Sequence, residues 1–371
     1  VSAWSRRGRL FSVGALFVEL SAVSWLLFLP YLLTAHGHLD FARHAIGRDF
    51  INFWTAGHLL FTPHLNDIFH PALFLGWERA LFDPRLAFHF WSYPPTALFL
   101  SVPLAPLPYI PALILWWAAG LAALVPAAVL TFDRQGQRML LIAAPAVAVN
   151  IALGQNGALT ASLLLCGLAL FERRPRLAGA LLGLLVFKPQ LAVLLPVAVV
   201  SARRWDVMLA AAASAALVIL LSLLAFGPEP WRGFFGPTLE TQAKMLSSGR
   251  GPFRWMMASV FMAGRVLGAS APAAMALQLP FTLLGAVMAF FAYRGPWSAQ
   301  EKGALLILAT FIATPQSFNY DLVAAAAAAL VLVDRDRTLA GAMGGALLWA
   351  LPVLLLATQV AHAPIGPPVI L

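Results

Sequence analysis

The chain has 371 residues, 61% of them hydrophobic and 11% charged, with a formal net charge of +9. An ordinary soluble domain carries about 25% charged residues, so these proportions exclude one, and the apolar runs are continuous and rich in Leu and Ala rather than alternating as barrel strands do. What remains is an all-α polytopic membrane protein, and since the arginines sit in short loops between apolar runs the positive balance reads as a topology signal, with no nucleic acid expected as a partner.

Arg6, Arg7 and Arg9 precede a first apolar run over residues 12–34 that lacks a small-residue cleavage site, so it reads as a retained span with a cytoplasmic N-terminus. Residues 35–92 then form a long first outer loop, which holds seven of the eight histidines and five of the fifteen acidic residues. Two pieces of it, residues 50–61 and 71–82, are expected as amphipathic helices lying along the outer surface. Residues 94–107 are apolar but short: about 14 residues at roughly 1.5 Å each reach about 21 Å, against a hydrocarbon core of about 30 Å. They are expected to dip in from the outer face and turn at Pro106 and Pro108, ahead of a full span to Thr131.

Two hairpins follow the inner loop with Arg134 and Arg138. The first, residues 139–153 and 158–171, has Gly154-Gln155-Asn156 at its outer tip and returns to Arg173, Arg174 and Arg176; the second, residues 177–187 and 191–201, has Lys188-Pro189-Gln190 at its tip and returns to Arg203 and Arg204. Residues 206–226 cross outward, and residues 227–271 make a second outer loop with an interfacial helix. A span over 272–293 leads inside to Arg294 and Lys302, a third hairpin carries the tip 314–321 outside, and residues 339–360 cross last. Of the 24 Lys and Arg residues, fourteen fall in the short inner loops, nine in the longer outer regions, and one, Lys188, inside the membrane. The map gives a single integral membrane domain, residues 1–371, with about eleven crossings plus re-entrant segments.

Chemistry has few places to live in such a chain. Asp49 stands between Arg48 and the interfacial aromatics Phe50, Phe53 and Trp54, which suits a general base at a membrane surface; the same position also suits the N-cap of the helix that follows. Lys188 ends an apolar run and is followed by proline, so a broken helix presents its ammonium to a cavity where a lipid-borne phosphate would be a natural partner, unless it snorkels to the headgroups. Gln155 and Asn156 need polar partners close to lipid and so point into a wet cavity, although Gly and Asn also favour a plain turn. Asp321, with Asn319 and Tyr320, begins a span and reads equally as its cap or as a site residue, and Tyr93-Pro94-Pro95 reads as a helix start. Glu19, within the first span, is expected to pair with an arginine or a polar group of the bundle. The outer histidines, His36, His38, His44, His58, His64, His70 and His89, show no ligand spacing on a helix face beyond the pair His36 and His38, so neither a metal nor another cofactor is expected. The single cysteine, Cys166, lies in an apolar run and excludes a disulfide framework.

Taken in order, RDFINFWTAG, WSYPPTALFLSVPLAPLP, GQNGALTASLLLCGLAL, LAGALLGLLVFKPQLAVLLP and ATPQSFNYDLV resemble the family 87 glycosyltransferases over about residues 48–333. The resemblance implies a GT-C-type transmembrane helix bundle and an enzyme similar to polyprenyl-phosphate-mannose-dependent α-mannosyltransferases. Its substrates would be a polyprenyl-phosphate sugar donor and a lipid or glycan acceptor, met among membrane lipids at the outer face of a bacterial inner membrane. Asp49 matches the family's catalytic aspartate. The last outer tip departs from the relatives that use histidine there, since it reads Gln316-Ser317-Phe318-Asn319-Tyr320-Asp321.

The mechanism expected from this is inverting transfer with Asp49 as base. Lys188, Arg48, Arg250 and Arg254 would meet the donor phosphate, and Tyr93, Gln155, Asn156, Gln190, Asn319, Tyr320 and Asp321 would hold sugar or acceptor. The rival is a lipid-linked sugar transporter or flippase that uses Lys188 and Asp321 as a coupling pair.

Overall fold

The computed structural model describes residues 13–27, 38–40, 43–248 and 251–371, and among these the regular structure is helical, with two isolated β-bridges, Leu39 with Ala45 and Met257 with Phe318. Among the described residues four helices are long and apolar enough to cross a membrane: α4 (Tyr109–Thr131), α10 (Trp205–Phe226), α14 (Ala271–Arg294) and α17 (Leu339–Val360). The other apolar helices are shorter, among them α1 (Val13–Leu27), α7 (Gly157–Leu170), α15 (Ala299–Ala313) and α16 (Val323–Arg335). Alpha-helix α10 faces outward, with only 11% of its most apolar stretch buried, whereas every residue of α16 from Val323 to Val331 is buried. A helix that is apolar all round is stable only inside a bundle, and six consecutive alanines, Ala324–Ala329, let α7, α15 and α17 close around it.

The expected hairpins appear as broken helices. Pro145 divides the first ascending segment into α5 (Gln135–Ala143) and α6 (Pro145–Ala152), because proline removes a helical donor and its ring crowds the preceding turn. The second hairpin runs from α8 (Pro175–Gly183) through 3-10 turns on either side of Lys188 to α9 (Leu195–Ala202). Helix α8 lies directly on α10: side chains at Gly179 and Gly183 would strike the carbonyls of Val207 and Ala211, both at 2.3 Å. Small residues four apart are the usual means of close helix contact in membranes. Because these short helices are walled by protein, they need not match the lipid thickness that sets a span's length.

The loops assigned to the arginine-rich side do gather at one end of the bundle, where Arg134 pairs with Asp334 at 3.0 Å, Arg335 with Glu301 at 2.8 Å, and Arg204 with Glu172. A cavity of about 320 Å³ lies at this end, between Thr131, Glu172, Gln300 and Ala328, and holds none of the expected site residues. Helix α1 packs on α17 through a Phe17–Trp349 stack with centroids 4.5 Å apart. Glu19 does not pair as expected: it is exposed on α1, and no ion pair reaches it among the described residues, because the buried stripe of α1 runs through Phe17, Ser21 and Ser24.

The opposite end carries a second apolar core of aromatics, including Phe50, Phe53, Trp54, Phe69, Phe74, Trp91, Tyr109 and Trp116. Here one expectation is corrected. Helix α3 (Pro71–Leu81) is amphipathic and buries only Phe74 and Glu78, but α2 (Phe50–Leu59) does not lie on the surface: every residue except His58 is buried. Its aromatics, which resemble an interfacial belt in the sequence, instead stack on Trp91, Tyr93, Tyr109 and Trp116, as in the Phe53–Trp116 contact at 4.5 Å.

Candidate active site

Two tight approaches draw distant segments together at this end. Gly154 has φ +59°, and a side chain there would lie 1.9 Å from the Gly47 carbonyl; one at Gly157 would lie 1.9 Å from the Tyr320 carbonyl. Only glycine fits both positions, so the tip between α6 and α7 is wedged between the start of α2 and the tip before α16. Backbone and side-chain bonds fasten it: the Asp49 amide donates to Leu153 O at 3.2 Å, Trp116 Nε1 to Gly154 O at 3.1 Å, and Asn150 Nδ2 to Tyr320 O at 3.4 Å.

Asp49 occupies the N-cap position of α2 but makes no side-chain capping bond, which removes the capping reading. Its Oδ2 instead accepts from Gln155 Nε2 at 2.6 Å, and Tyr93 Oη donates to Gln155 Oε1 at 2.9 Å. Tyr93 and Gln155 are buried, while the Asp49 side chain keeps 33% of its surface exposed, so one carboxylate oxygen is held from behind and the group remains open in front. On the other side His89 Nε2 stands 3.8 Å from Asp49 Oδ1. Further back, Glu78 is completely buried with neither carboxyl oxygen hydrogen bonded, and burial, reinforced by the nearby Asp49 charge, raises its pKa well above the carboxylate range.

Lys188 is buried behind Tyr93. Its Nζ donates to Asp321 Oδ1 at 2.6 Å and to Asn156 Oδ1 at 2.8 Å, and it lies 5.0 Å from the Tyr320 ring centroid and 5.9 Å from that of Tyr93. The ammonium therefore neither snorkels nor lies open, since side-chain exposure is 3% for Lys188 and 0% for Asp321. The N-cap position of α16 falls to Leu322, so Asp321 does not serve as its cap. Asn319 anchors the same tip by donating from Nδ2 to Pro352 O at 3.2 Å.

Asp49, Tyr93, Gln155, Asn156, Lys188, Asn319, Tyr320 and Asp321, expected from five separate stretches, thus form one cluster. The others stand apart. Arg48, at φ 41°, turns its guanidinium to Asp40 at 3.0 Å; Gln190 is half-buried and makes none of these contacts; Arg250 lies outside the described residues. Arg254 sits against Trp255, on a segment that pairs with the last tip through Asn319 N to Met256 O at 2.7 Å. Among the described residues no group of three His, Cys, Asp or Glu side chains is disposed to hold a metal ion, and His36 falls outside them.

Sequence reasoning passed over Asn150 and His89. Asn150 is a polar residue within an apolar run, and an amide in such a place is itself a signal, because it must find partners in the bundle. The Gln155 link gives the first quantitative expectation: Gln155→Leu should leave the fold intact and lower turnover about tenfold, the scale of one hydrogen bond to a charged group, measured as kcat with saturating substrates.

The family profile for glycosyltransferase family 87 matches residues 91–315, more than half of the chain. No curated protein and no solved structure matches it. The matched stretch contains Tyr93, Gln155, Asn156 and Lys188, while Asp49 lies ahead of it and is joined to it by the bond to Gln155.

Proposed function

Because the chain belongs to glycosyltransferase family 87, a membership that favours an enzyme over a carrier, we propose that this membrane glycosyltransferase moves a sugar, mannose in the first instance, from a polyprenyl-phosphate donor to a lipid or glycan acceptor, with inversion. Asp49 is the general base in this reading. The observation that carries it is a carboxylate open on one side and fixed on the other by the Gln155–Tyr93 pair, at the only end of the bundle where α2, both hairpin tips and the last tip meet among the described residues. A lipid phosphosugar already has a good leaving group, so the enzyme has to align an acceptor hydroxyl, remove its proton and receive the departing phosphate.

Guanidinium groups suit the phosphate through forked, charge-assisted bonds, and Arg254 and Arg48 on the surrounding loops are the candidates, with Arg250 a candidate by its place in the sequence alone. Lys188 is already neutralised by Asp321, so it would reach a phosphate only if that pair opened. In this reading the reaction lies at the outer face of a bacterial inner membrane, which the gathering of arginine-rich loops at the far end of the bundle supports.

Purified protein in liposomes, incubated with radiolabelled polyprenyl phosphomannose and a bacterial lipid extract, is expected to form a new labelled glycolipid or glycan. Movement of the labelled donor across the bilayer with no covalent product would overturn the enzyme reading, and a product only with another polyprenyl phosphosugar would replace mannose.

A further inference from the structure

His89 contributes something the transfer reading leaves unused. Its Nδ1 lies 2.9 Å from the Ala87 carbonyl oxygen, which can only accept, so Nδ1 carries the ring proton. In the neutral ring Nε2 then has only a lone pair, and this faces the Asp49 carboxylate at 3.8 Å. Two acceptors that face each other with no proton between them make a seat for hydroxyl donors. The ring is 6% exposed as a residue, so what enters must come through the open side of Asp49.

We propose that His89 is the positioning and proton-accepting partner of Asp49, the two acceptors together taking adjacent hydroxyls of a polyol or sugar acceptor, and that protonating His89 closes the seat by tying its Nε2–H to the carboxylate. This rests on Asp49 as the base. The attacking hydroxyl loses its proton to Asp49 Oδ1 as its oxygen bonds to the anomeric carbon, and the phosphate leaves with the electron pair of the broken bond. His89 Nε2 can then take the proton from Asp49, and the seat stays closed until that proton passes to water through the open side of Asp49, which frees both acceptors for the next turnover.

The groups facing His89 fix the sign of its response to pH. Asp49 at the head of α2 and Asp40 favour the charged ring; Arg48 opposes it, and His44 lies edge-on with ring centroids 5.6 Å apart. Burial is the largest influence and lowers the pKa of His89 from its usual value. At neutral pH the ring is therefore neutral and the seat open, and it closes as the pH falls below the ordinary histidine value of about 6.5.

The test follows the Asp49 carboxylate stretch by infrared difference between the native protein and Asp49→Asn, from about pH 8 to about pH 4. A first shift of the band is expected as His89 ionises. In His89→Asn, which keeps a donor for Ala87 O but has no Nε2, the first shift should vanish. In His89→Gln, whose amide reaches as far as Nε2, the band should sit at its shifted position throughout. A first shift unchanged in His89→Asn overturns the proposal. Labelled imidazole nitrogens in the unmodified protein provide a check that needs no variant: one ring must be in the Nδ1–H form at neutral pH, and Nε2–H forms for all eight histidines would overturn it. None of these readings needs a sugar, so a failed transfer assay and a failed His89 proposal are told apart.

Discussion

Asp49→Asn is expected to lower transfer about a hundred- to ten-thousandfold, the usual share of a positioned general base, while melting stays within about 0.5 kcal/mol of the native protein. The two halves of this expectation have separate grounds. The fold should tolerate the change because the side chain does not cap α2 and because an amide oxygen can still accept from Gln155 Nε2. Activity should not, because an amide cannot take a proton from an attacking hydroxyl. The loss should fall on kcat, with apparent donor affinity little changed, since the group acts on the acceptor. Turnover close to native in a well-folded Asp49→Asn protein would remove the base assignment, and Gln155→Leu gives an internal scale, its effect about tenfold.

The site was legible where polar residues interrupt apolar sequence. Gln155, Asn156, Lys188 and Asp321 stand out because each must find a partner in or near lipid, and each does, mostly among the others. What the sequence could not reveal is which of them pair. Lys188 reads alone as an unmatched ammonium, and its partner lies 133 residues further along the chain. The surroundings of Asp49 were misjudged for a related reason: Phe50, Phe53 and Trp54 have the composition of an interfacial helix, and only the aromatics of residues 91–116, folded back over them, turn that helix into a core element. His89 was one histidine among seven in the outer loop, with no spacing to single it out. The fold class was open from composition, but the breaks at Pro145 and Lys188 show why spans were harder to count: a helix walled by protein is free to be short.

The second large effect belongs to the buried ion pair. Lys188→Met is expected to cost about 3–5 kcal/mol, because it leaves the carboxylate of Asp321 buried beside an oxygen, Oδ2, that already has no hydrogen bond. Removing both charges, as in Lys188→Met with Asp321→Asn, should return most of that stability, since a buried pair stabilises little over neutral groups of similar size. Thermal inactivation of the detergent-solubilised protein measures both variants, and a double variant no more stable than the single one would show that the pair is not the cause. The double variant also separates two roles for Lys188. If the ammonium serves only to lock the tip at residue 321 against Asn156 and Tyr93, apparent donor KM should stay within about twofold. A rise of about tenfold in donor KM, with melting restored, would return Lys188 to the phosphate, since a charge-assisted contact of that kind is worth about 1.5–3 kcal/mol. The geometry favours the first outcome, because an ammonium with two oxygen partners and 3% exposure has no face left for a lipid phosphate.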